Sequence, residues 1–348
     1  MSSLIDWTVA QRTAEKLAPV PPAVSPAEAA AVVSELHRST DRAAALVAEL
    51  TRLSEPPVTA DTVVVDRPGW VAANVASMAT VMDPLADKIT AAHPPSRLAS
   101  RLGGSVTGAQ AGAILAFLSG KVLGQYEFFS QDGGQLLLVA PNLVAVERSL
   151  HVQPSDFRLW VCLHEVTHRV QFTAVPWLRQ HMLAEVGLLT DAVEVDPAAM
   201  ADRVKNALGE LVRVVRGEGD GAGLMAALAP PEARQVMDRL TGFMSLVEGH
   251  AEYVMNAVDA SVIPTQPDIE RKFAARRRRG GNPLDRLLRS LLGMDAKTRQ
   301  YTQGAGFVRS VVDQIGLDGF NAVWTSADTL PTKHEITAPA DWVKRVHG

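Results

Sequence analysis

The sequence contains a single cysteine, Cys162, among its 348 residues. One cysteine cannot form an internal disulfide, which excludes a small secreted scaffold held together by disulfides. It also excludes a metal site built from several thiolates, so a metal would need histidine and carboxylate ligands. Basic residues give no excess either, because 34 Lys and Arg stand against 38 Asp and Glu, a net charge of −4. We therefore expect no nucleic-acid partner, since charge-based binding to nucleic acid requires a basic surface.

Long apolar runs are missing as well. The most apolar segment, Ala109 to Leu118, is too short to cross a bilayer. The first residues lack the basic start and apolar run of a signal peptide, and the last residues form no lipidation motif. We therefore expect a cytoplasmic protein with no membrane partner. Because 47% of the residues are hydrophobic, the chain can bury a sizeable core, which excludes general disorder.

Helical periodicity dominates the sequence. Ser25 before Pro26 is typical of a helix start, and an amphipathic pattern continues to Leu53. The β-branched run Thr62–Val65 predicts a short strand. Further helices are predicted over 70–89, from 155, and over 196–216, 230–259 and 297–315. A basic run at 271–279 is interpreted as a solvated helix end that enters a loop; the alternatives are a nucleic-acid site and a mobile loop near a cleft.

Two short apolar segments around a glycine-rich turn predict a β-hairpin. Gln125–Phe129 and Gln135–Ala140 flank the turn Ser130–Gly134, and Pro141 follows the second strand. The prediction for the whole chain is therefore an α+β fold that is predominantly helical, with a small antiparallel sheet. We expect one unit over 1–348, with an N-terminal lobe over 1–175 and a helical lobe over 176–348 as a subdivision.

The segment His164-Glu165-Val-Thr-His168 carries the strongest chemical signal. Two histidines four residues apart project from one face of a helix and can bind one metal ion together. Glu165 lies about 100° around the helix from His164, where its carboxylate can hold a metal-bound water. Apolar residues surround the motif and predict a buried helix, in which unpaired polar groups would be costly. We therefore predict Zn²⁺ ligation, and we interpret the neighbouring Cys162 as a core residue.

A catalytic zinc ion usually has three protein ligands, so a third ligand must come from elsewhere in the chain. We assign Glu248, which shares a helix face with Glu252, whereas His250 points nearly opposite. Glu252 is predicted to orient a ligand histidine by accepting a hydrogen bond from its ring. The alternative is that both glutamates are solvated and His250 is the ligand. A glycine such as Gly249 destabilises a helix by about 1 kcal/mol relative to alanine. A close approach to another helix would explain a glycine at this position.

The two histidines with the distant Glu248 resemble the gluzincin branch of the zincin metallopeptidases. The segment from Glu248 to Tyr253 is similar to the Glu-Gly-Phe-Ala helix of zinc aminopeptidases, although Glu248 follows His168 by 80 positions, farther than in thermolysin-like enzymes. The whole chain also resembles an actinobacterial family of zincin-like metallopeptidases or hydrolases, some of whose members are linked to deazaflavin-coenzyme biosynthesis. The matching segments are 66–70, 138–142, 164–172, 248–252, 297–301 with Gly304 and Phe307, and 331–335.

This resemblance implies a zinc metallohydrolase with a zincin-like core, acting on a peptide or a small amide. Glu165 would activate the zinc-bound water as a general base and then protonate the leaving amine. Tyr301 is the candidate donor to the oxyanion, with Tyr253 as a second candidate; the alternative for Tyr301 is a structural polar contact. Zincins place an extended substrate along an edge strand, and Gln135–Ala140 is the expected edge, unless it is an ordinary strand packed on the core.

Two other functions fit the same sequence. A zinc-stabilised protein without catalysis, serving binding or assembly, would have a closed site with a fourth protein ligand such as His250 or Glu252. A zinc hydrolase of a small amide in coenzyme metabolism would have a narrow pocket rather than a long groove.

Overall fold

The computed structural model describes residues 4–56, 61–92, 97–129, 134–191, 230–278 and 294–348. The predicted helix over 196–216 lies outside these residues, as do most of the hairpin turn and Arg279. None of the described helices is long and apolar enough to span a membrane. The chain divides into two compact units, residues 1–174 with 258–271 and residues 175–257 with 272–348, which are described separately.

The elements of the first 174 residues are α1 (Trp7–Leu17), α2 (Pro26–Thr51), β1 (Thr62–Val65), α3 (Arg67–Ala92), α4 (Arg97–Ser119), β2 (Gly124–Glu127), β3 (Gln135–Val139), α5 (Ala140–Leu150) and α6 (Pro154–Ala174). They are followed by α7 (Pro176–Asp191), α8 (Pro231–Asn256), α9 (Gln266–Arg278), α10 (Met294–Phe320), the 3₁₀ helices Asn321–Trp324 and Ala327–Thr329, α11 (Lys333–Thr337) and α12 (Pro339–His347). The predominantly helical α+β class is confirmed.

Several predicted boundaries are confirmed because local chemistry sets them. Helix α2 begins at Pro26, and the Ser25 hydroxyl caps it by accepting a hydrogen bond from the backbone N–H of Glu28 at 3.1 Å. Strand β1 has the predicted bounds, Thr62–Val65. The predicted hairpin is also present, since β2 pairs antiparallel with β3.

Within the described residues of the first unit, three strands form a mixed sheet in the order β1-β3-β2. Strand β1 pairs parallel with β3, so the sheet is not wholly antiparallel as predicted; two helices, α3 and α4, separate β1 from the hairpin and allow a parallel crossover. The prediction that Gln135–Ala140 is the edge strand is wrong. Strand β3 lies in the centre of the sheet and is packed in the core, where the alternative interpretation placed it, and β2 is an edge of this sheet.

The sheet separates two layers of helices. Leu137 and Val139 of β3 pack on one face with Trp70 of α3 and Leu115 of α4. Because side chains alternate along a strand, Leu136 and Leu138 lie on the other face of the sheet, toward α6. Their partners in β2, Tyr126 and Gly124, lie on the same face. Four successive β3 residues are buried, Leu136 to Val139, which is the pattern of a strand covered on both faces.

The second unit is held together where α8 crosses α10. Gly249 of α8 lies against Gly304 of α10, and a Cβ atom added at position 304 would stand 1.8 Å from the carbonyl oxygen of Ser245. The predicted close approach at Gly249 is therefore confirmed. Phe307 of α10 packs edge-on against Trp342 at 5.7 Å between ring centroids, which connects α10 to α12.

Residues 331–335, one of the segments on which the family resemblance rests, also have a structural role in the second unit. Thr332 and Glu335 form a reciprocal capping box at the start of α11. The Glu335 carboxylate accepts two hydrogen bonds from Arg345 of α12, at 2.6 and 2.9 Å. Burial opposes the charged form of Glu335, but these bonds outweigh it and lower the pKa of the carboxyl group.

Candidate metal centre

Helix α6 carries the two histidines and is buried along most of its length. From Phe157 to Phe172, every residue is buried except His164 and His168, which are half-buried. The two histidines therefore occupy the half-buried positions of the otherwise buried part of the helix, 157–172. The predicted buried helix is confirmed.

The histidine rings converge on one point. The Nε2 atoms of His164 and His168 lie 3.2 Å apart, and the ring planes are nearly perpendicular, at 86°. Two imidazole nitrogens bound at about 2.0–2.1 Å to one tetrahedral zinc ion would lie about 3.3 Å apart. The two side chains are therefore arranged as zinc ligands would be.

Gln171 orients the second histidine. The Oε1 atom of Gln171 lies 3.0 Å from Nδ1 of His168, and the Gln171 side chain is fully buried. An amide oxygen there accepts a hydrogen bond from the Nδ1–H of the ring, which leaves the Nε2 lone pair for a metal. The spacing of three residues on one helix allows this contact, but glutamine is too common on helices for Gln171 to be recognised from the sequence.

Glu165 faces the start of strand β2. The side chain is 8% exposed, and a Cβ atom added at Gly124 would stand 2.6 Å from Cγ and 2.8 Å from Cδ of Glu165. A side chain at position 124 would therefore displace this carboxylate from its present position. Nothing in the local sequence links Gly124 to Glu165, so this contact could not be predicted.

Side-chain hydrogen bonds hold β2 on its other face. The indole N–H of Trp70 donates to Oε1 of Gln125 at 2.9 Å, and Nε2 of Gln125 donates to Oδ1 of Asn74 at 3.1 Å. Gln125 pairs with Leu137, so this side chain lies on the sheet face opposite α6. These bonds fix β2, whose first residue contacts Glu165. Through Trp70, the segment 66–70 therefore helps to position β2.

A second hydrogen-bond network joins the start of α3 to the start of α5. Nε of the buried Arg67 donates to Oδ1 of Asn142 at 2.8 Å, and the amide of Asn142 donates to the carbonyl oxygens of Ser119 and Val122 at 2.7 and 2.6 Å. Burial lowers the pKa of the Arg67 guanidinium. This network fixes the connection that leads from α4 into β2.

Buried ion pairs anchor α6 on both sides of the histidines. Arg158 binds the carboxylates of Glu147 and Glu35; burial opposes its charge, but the two carboxylates outweigh burial and raise the pKa of the guanidinium. Arg169 binds both oxygens of Glu55, at 2.8 and 3.0 Å. Such bidentate pairs restrict rotation of the helix and hence of its side chains.

Cys162 is a core residue, as interpreted from the sequence. Its side chain is fully buried, and the hydroxyl of Thr40 lies 3.8 Å from its Sγ. Burial raises the pKa of the thiol to about 12. Because a metal binds the thiolate and not the thiol, this residue is unsuited to ligation at neutral pH.

In the second unit, Glu248 and His250 lie on different sides of α8. The side chain of Glu248 is buried, whereas that of Glu252 is half-buried. His250 is fully buried between aromatic rings, 5.4 Å from Phe320 and 5.2 Å from Trp324 between centroids. These contacts give His250 a packing role within its own unit.

The structure does not test the roles predicted for the two tyrosines and the two glutamates. Tyr301 lies in α10, but its side chain is outside the described part of the structure, so its role at the oxyanion stays a prediction. Tyr253 is a half-buried residue of α8. The ligand role of Glu248 and the orienting role of Glu252 likewise stay predictions.

Comparisons with known proteins agree with this description. A crystal structure from Chloroflexus aurantiacus, described as a "putative hydrolase with a novel fold", superposes with a TM-score of 0.71 and 29% sequence identity over 99% of both chains. No curated protein sequence matches the chain. The family model described as zincin-like metallopeptidase matches residues 5–343. The chain therefore belongs to the zincin-like metallopeptidase family.

Proposed function

We propose that the chain is a zinc-dependent hydrolase of peptide or peptide-like amide bonds, with His164, His168 and Glu248 as the metal ligands. The observation that carries the proposal is the convergence of the two histidine Nε2 atoms at 3.2 Å, on the same helix as the Glu165 carboxylate. Membership of the zincin-like metallopeptidase family supports the reaction class, and the similarity to a protein described as a hydrolase agrees with it.

Zinc bound to these ligands would supply Lewis-acid chemistry, polarising the scissile carbonyl group and lowering the pKa of water. Glu165 accepts the proton of the attacking water and then donates it to the leaving nitrogen, so that one carboxylate acts first as base and then as acid. Contact with Gly124 holds this carboxylate in place between the two proton transfers. Gln171 holds His168 in the tautomer that binds a metal through Nε2.

Two further residues have assigned roles in the proposal. Glu252 orients a ligand histidine; for His168, however, Gln171 already accepts the hydrogen bond from Nδ1, so His164 is the remaining candidate for Glu252. Tyr301 donates a hydrogen bond to the oxyanion that forms when water attacks the carbonyl carbon. Replacement of either residue should reduce turnover more than the affinity for substrate.

Strand β2 is the proposed docking edge for an extended substrate. It pairs with β3 on one side, and its first residue contacts the catalytic glutamate. A peptide that adds to β2 by backbone hydrogen bonds would pass directly beside Glu165. This placement replaces the edge that the sequence predicted at β3.

The proposal is tested by separating metal binding from turnover. Glu165→Gln is expected to bind one zinc per chain like the wild type, but to hydrolyse a peptide mixture at least 10²-fold more slowly, because it cannot accept a proton. His168→Ala should lose both zinc and activity. A zinc-loaded wild type that cleaves no peptide or small amide would support a non-catalytic zinc protein instead.

A further inference from the structure

An aromatic cluster lies where strand β2 ends, beside helix α6. It consists of Tyr126, Phe128, Phe129 and Phe172. The Phe128 ring stacks on Phe172 at 4.7 Å between centroids and contacts Phe129 at 4.3 Å, and Tyr126 stacks on Phe172 at 5.8 Å. Phe128 and Phe129 are only half-buried, so the cluster offers apolar ring surface to an incoming molecule.

The cluster is continuous with the proposed active site. Every second residue from Gly124 to Phe128 lies on the face that meets α6. On this face Gly124 contacts Glu165, and the rings of Tyr126 and Phe128 contact Phe172. Phe172 follows His168 by about one helical turn. Strand β2 therefore runs along α6, with Glu165 beside its first residue; Phe128, directly after its last residue, lies about 13 Å farther along at about 3.3 Å per residue.

We propose that this aromatic cluster is a subsite for a large apolar side chain of a peptide substrate. The inference rests on the proposed function and on the docking of substrate along β2. A peptide extended beside the strand has the same rise per residue, so a side chain about four residues from the cleaved bond reaches the rings. Aromatic or large aliphatic side chains gain most there, because they bury apolar surface against stacked rings.

The test measures cleavage preference. The zinc-loaded full chain is incubated with a tryptic digest of a bacterial proteome, and mass spectrometry identifies the cleaved bonds. Large apolar residues are expected at one fixed position, about four residues from the bond. For a peptide with Phe at that position, Phe128→Ala should lower kcat/KM roughly tenfold, mainly through KM, while a peptide with Gly there should be unaffected.

Controls separate the subsite from folding and from catalysis. Phe128→Leu keeps an apolar side chain and should retain the preference for the Phe peptide. Phe117→Ala replaces a half-buried phenylalanine outside the cluster and should leave kcat/KM unchanged for both peptides. Fluorescence anisotropy with Glu165→Gln gives a readout without turnover: the labelled Phe peptide should bind roughly tenfold more tightly than the Gly peptide, and adding Phe128→Ala should remove the difference.

The outcomes distinguish the two proposals. Cleavage without an apolar preference, or an equal loss on both peptides in Phe128→Ala, would overturn the subsite and leave the hydrolase proposal intact. A zinc-loaded wild type that cleaves none of the peptides would overturn the peptidase function and the subsite with it.

Discussion

Gly124 at the start of β2 and Glu165 in the middle of α6 are in such close contact that a single added methyl group would stand 2.6 Å from the glutamate Cγ. The two residues are 41 positions apart in the sequence and come from a strand and a helix. The sheet therefore limits where the proposed general base can lie, and the position of the carboxylate depends on the position of β2.

We expect Gly124→Ala to impair hydrolysis without removing the metal. The added methyl group must displace Glu165, and a displacement of about 1 Å can lower turnover by about 10²-fold. Zinc content, measured by mass spectrometry of the purified protein, should stay at one per chain because the three atoms nearest to the added methyl group all belong to Glu165 and not to a histidine. Gly103→Ala is the matched control, since a methyl group there has no neighbour within 4 Å. Equal activity of the two variants would contradict the constraint on Glu165.

Gln171→Leu should weaken zinc binding. The substitution keeps a buried side chain of similar size but removes the oxygen that accepts a hydrogen bond from Nδ1 of His168. Loss of such an orienting partner typically costs 10–100-fold in metal affinity. Competition with a chromophoric chelator measures the dissociation constant, and Gln171→Glu should restore tight binding. An unchanged zinc affinity in Gln171→Leu would show that the hydrogen bond does not orient the ligand.

Gly304→Ala should destabilise the second unit by about 2–3 kcal/mol, because overpacking at a helix contact forces backbone shifts. A methyl group at position 304 would meet the Ser245 carbonyl oxygen at 1.8 Å. Gly306→Ala, two residues farther along α10, has no neighbour within 4 Å and should be neutral or stabilising by up to about 1 kcal/mol. Denaturant unfolding distinguishes them; equal stability of the two variants would refute the close crossing of α8 and α10.

The Cys162 thiol should resist alkylation in the folded protein. Burial raises its pKa to about 12, so the reactive thiolate form is scarce at pH 8, and the side chain is inaccessible. Iodoacetamide at pH 8 should leave the native chain unmodified by intact-mass spectrometry, whereas the chain in guanidinium chloride should gain one adduct. Rapid modification of the native chain would contradict the assignment of Cys162 to the core.

The sequence predicted those features that short segments determine. The cap at Ser25, the strand Thr62–Val65 and the buried helix around His164 follow from local spacing and residue type. Gly249 could be recognised as a close approach because glycine is costly in a helix, but its partner Gly304 could not be identified without the fold.

Features that depend on tertiary contacts were not predictable. The central position of β3 requires β1 to pair with it across two intervening helices, and no local pattern sets that register. The contact of Gly124 with Glu165 depends on that same arrangement. The partner of His168 lies only three residues away, yet glutamine is too common on helices for Gln171 to stand out.

The most direct test of the account is a crystal structure of the zinc-loaded protein with anomalous diffraction data collected at the zinc absorption edge. We predict one strong anomalous peak bound by Nε2 of His164, Nε2 of His168 and a carboxylate oxygen of Glu248, with a remaining position for water beside Glu165. A zinc ion held by other residues, or enclosed by four protein ligands, would contradict the proposal of a hydrolytic metal centre.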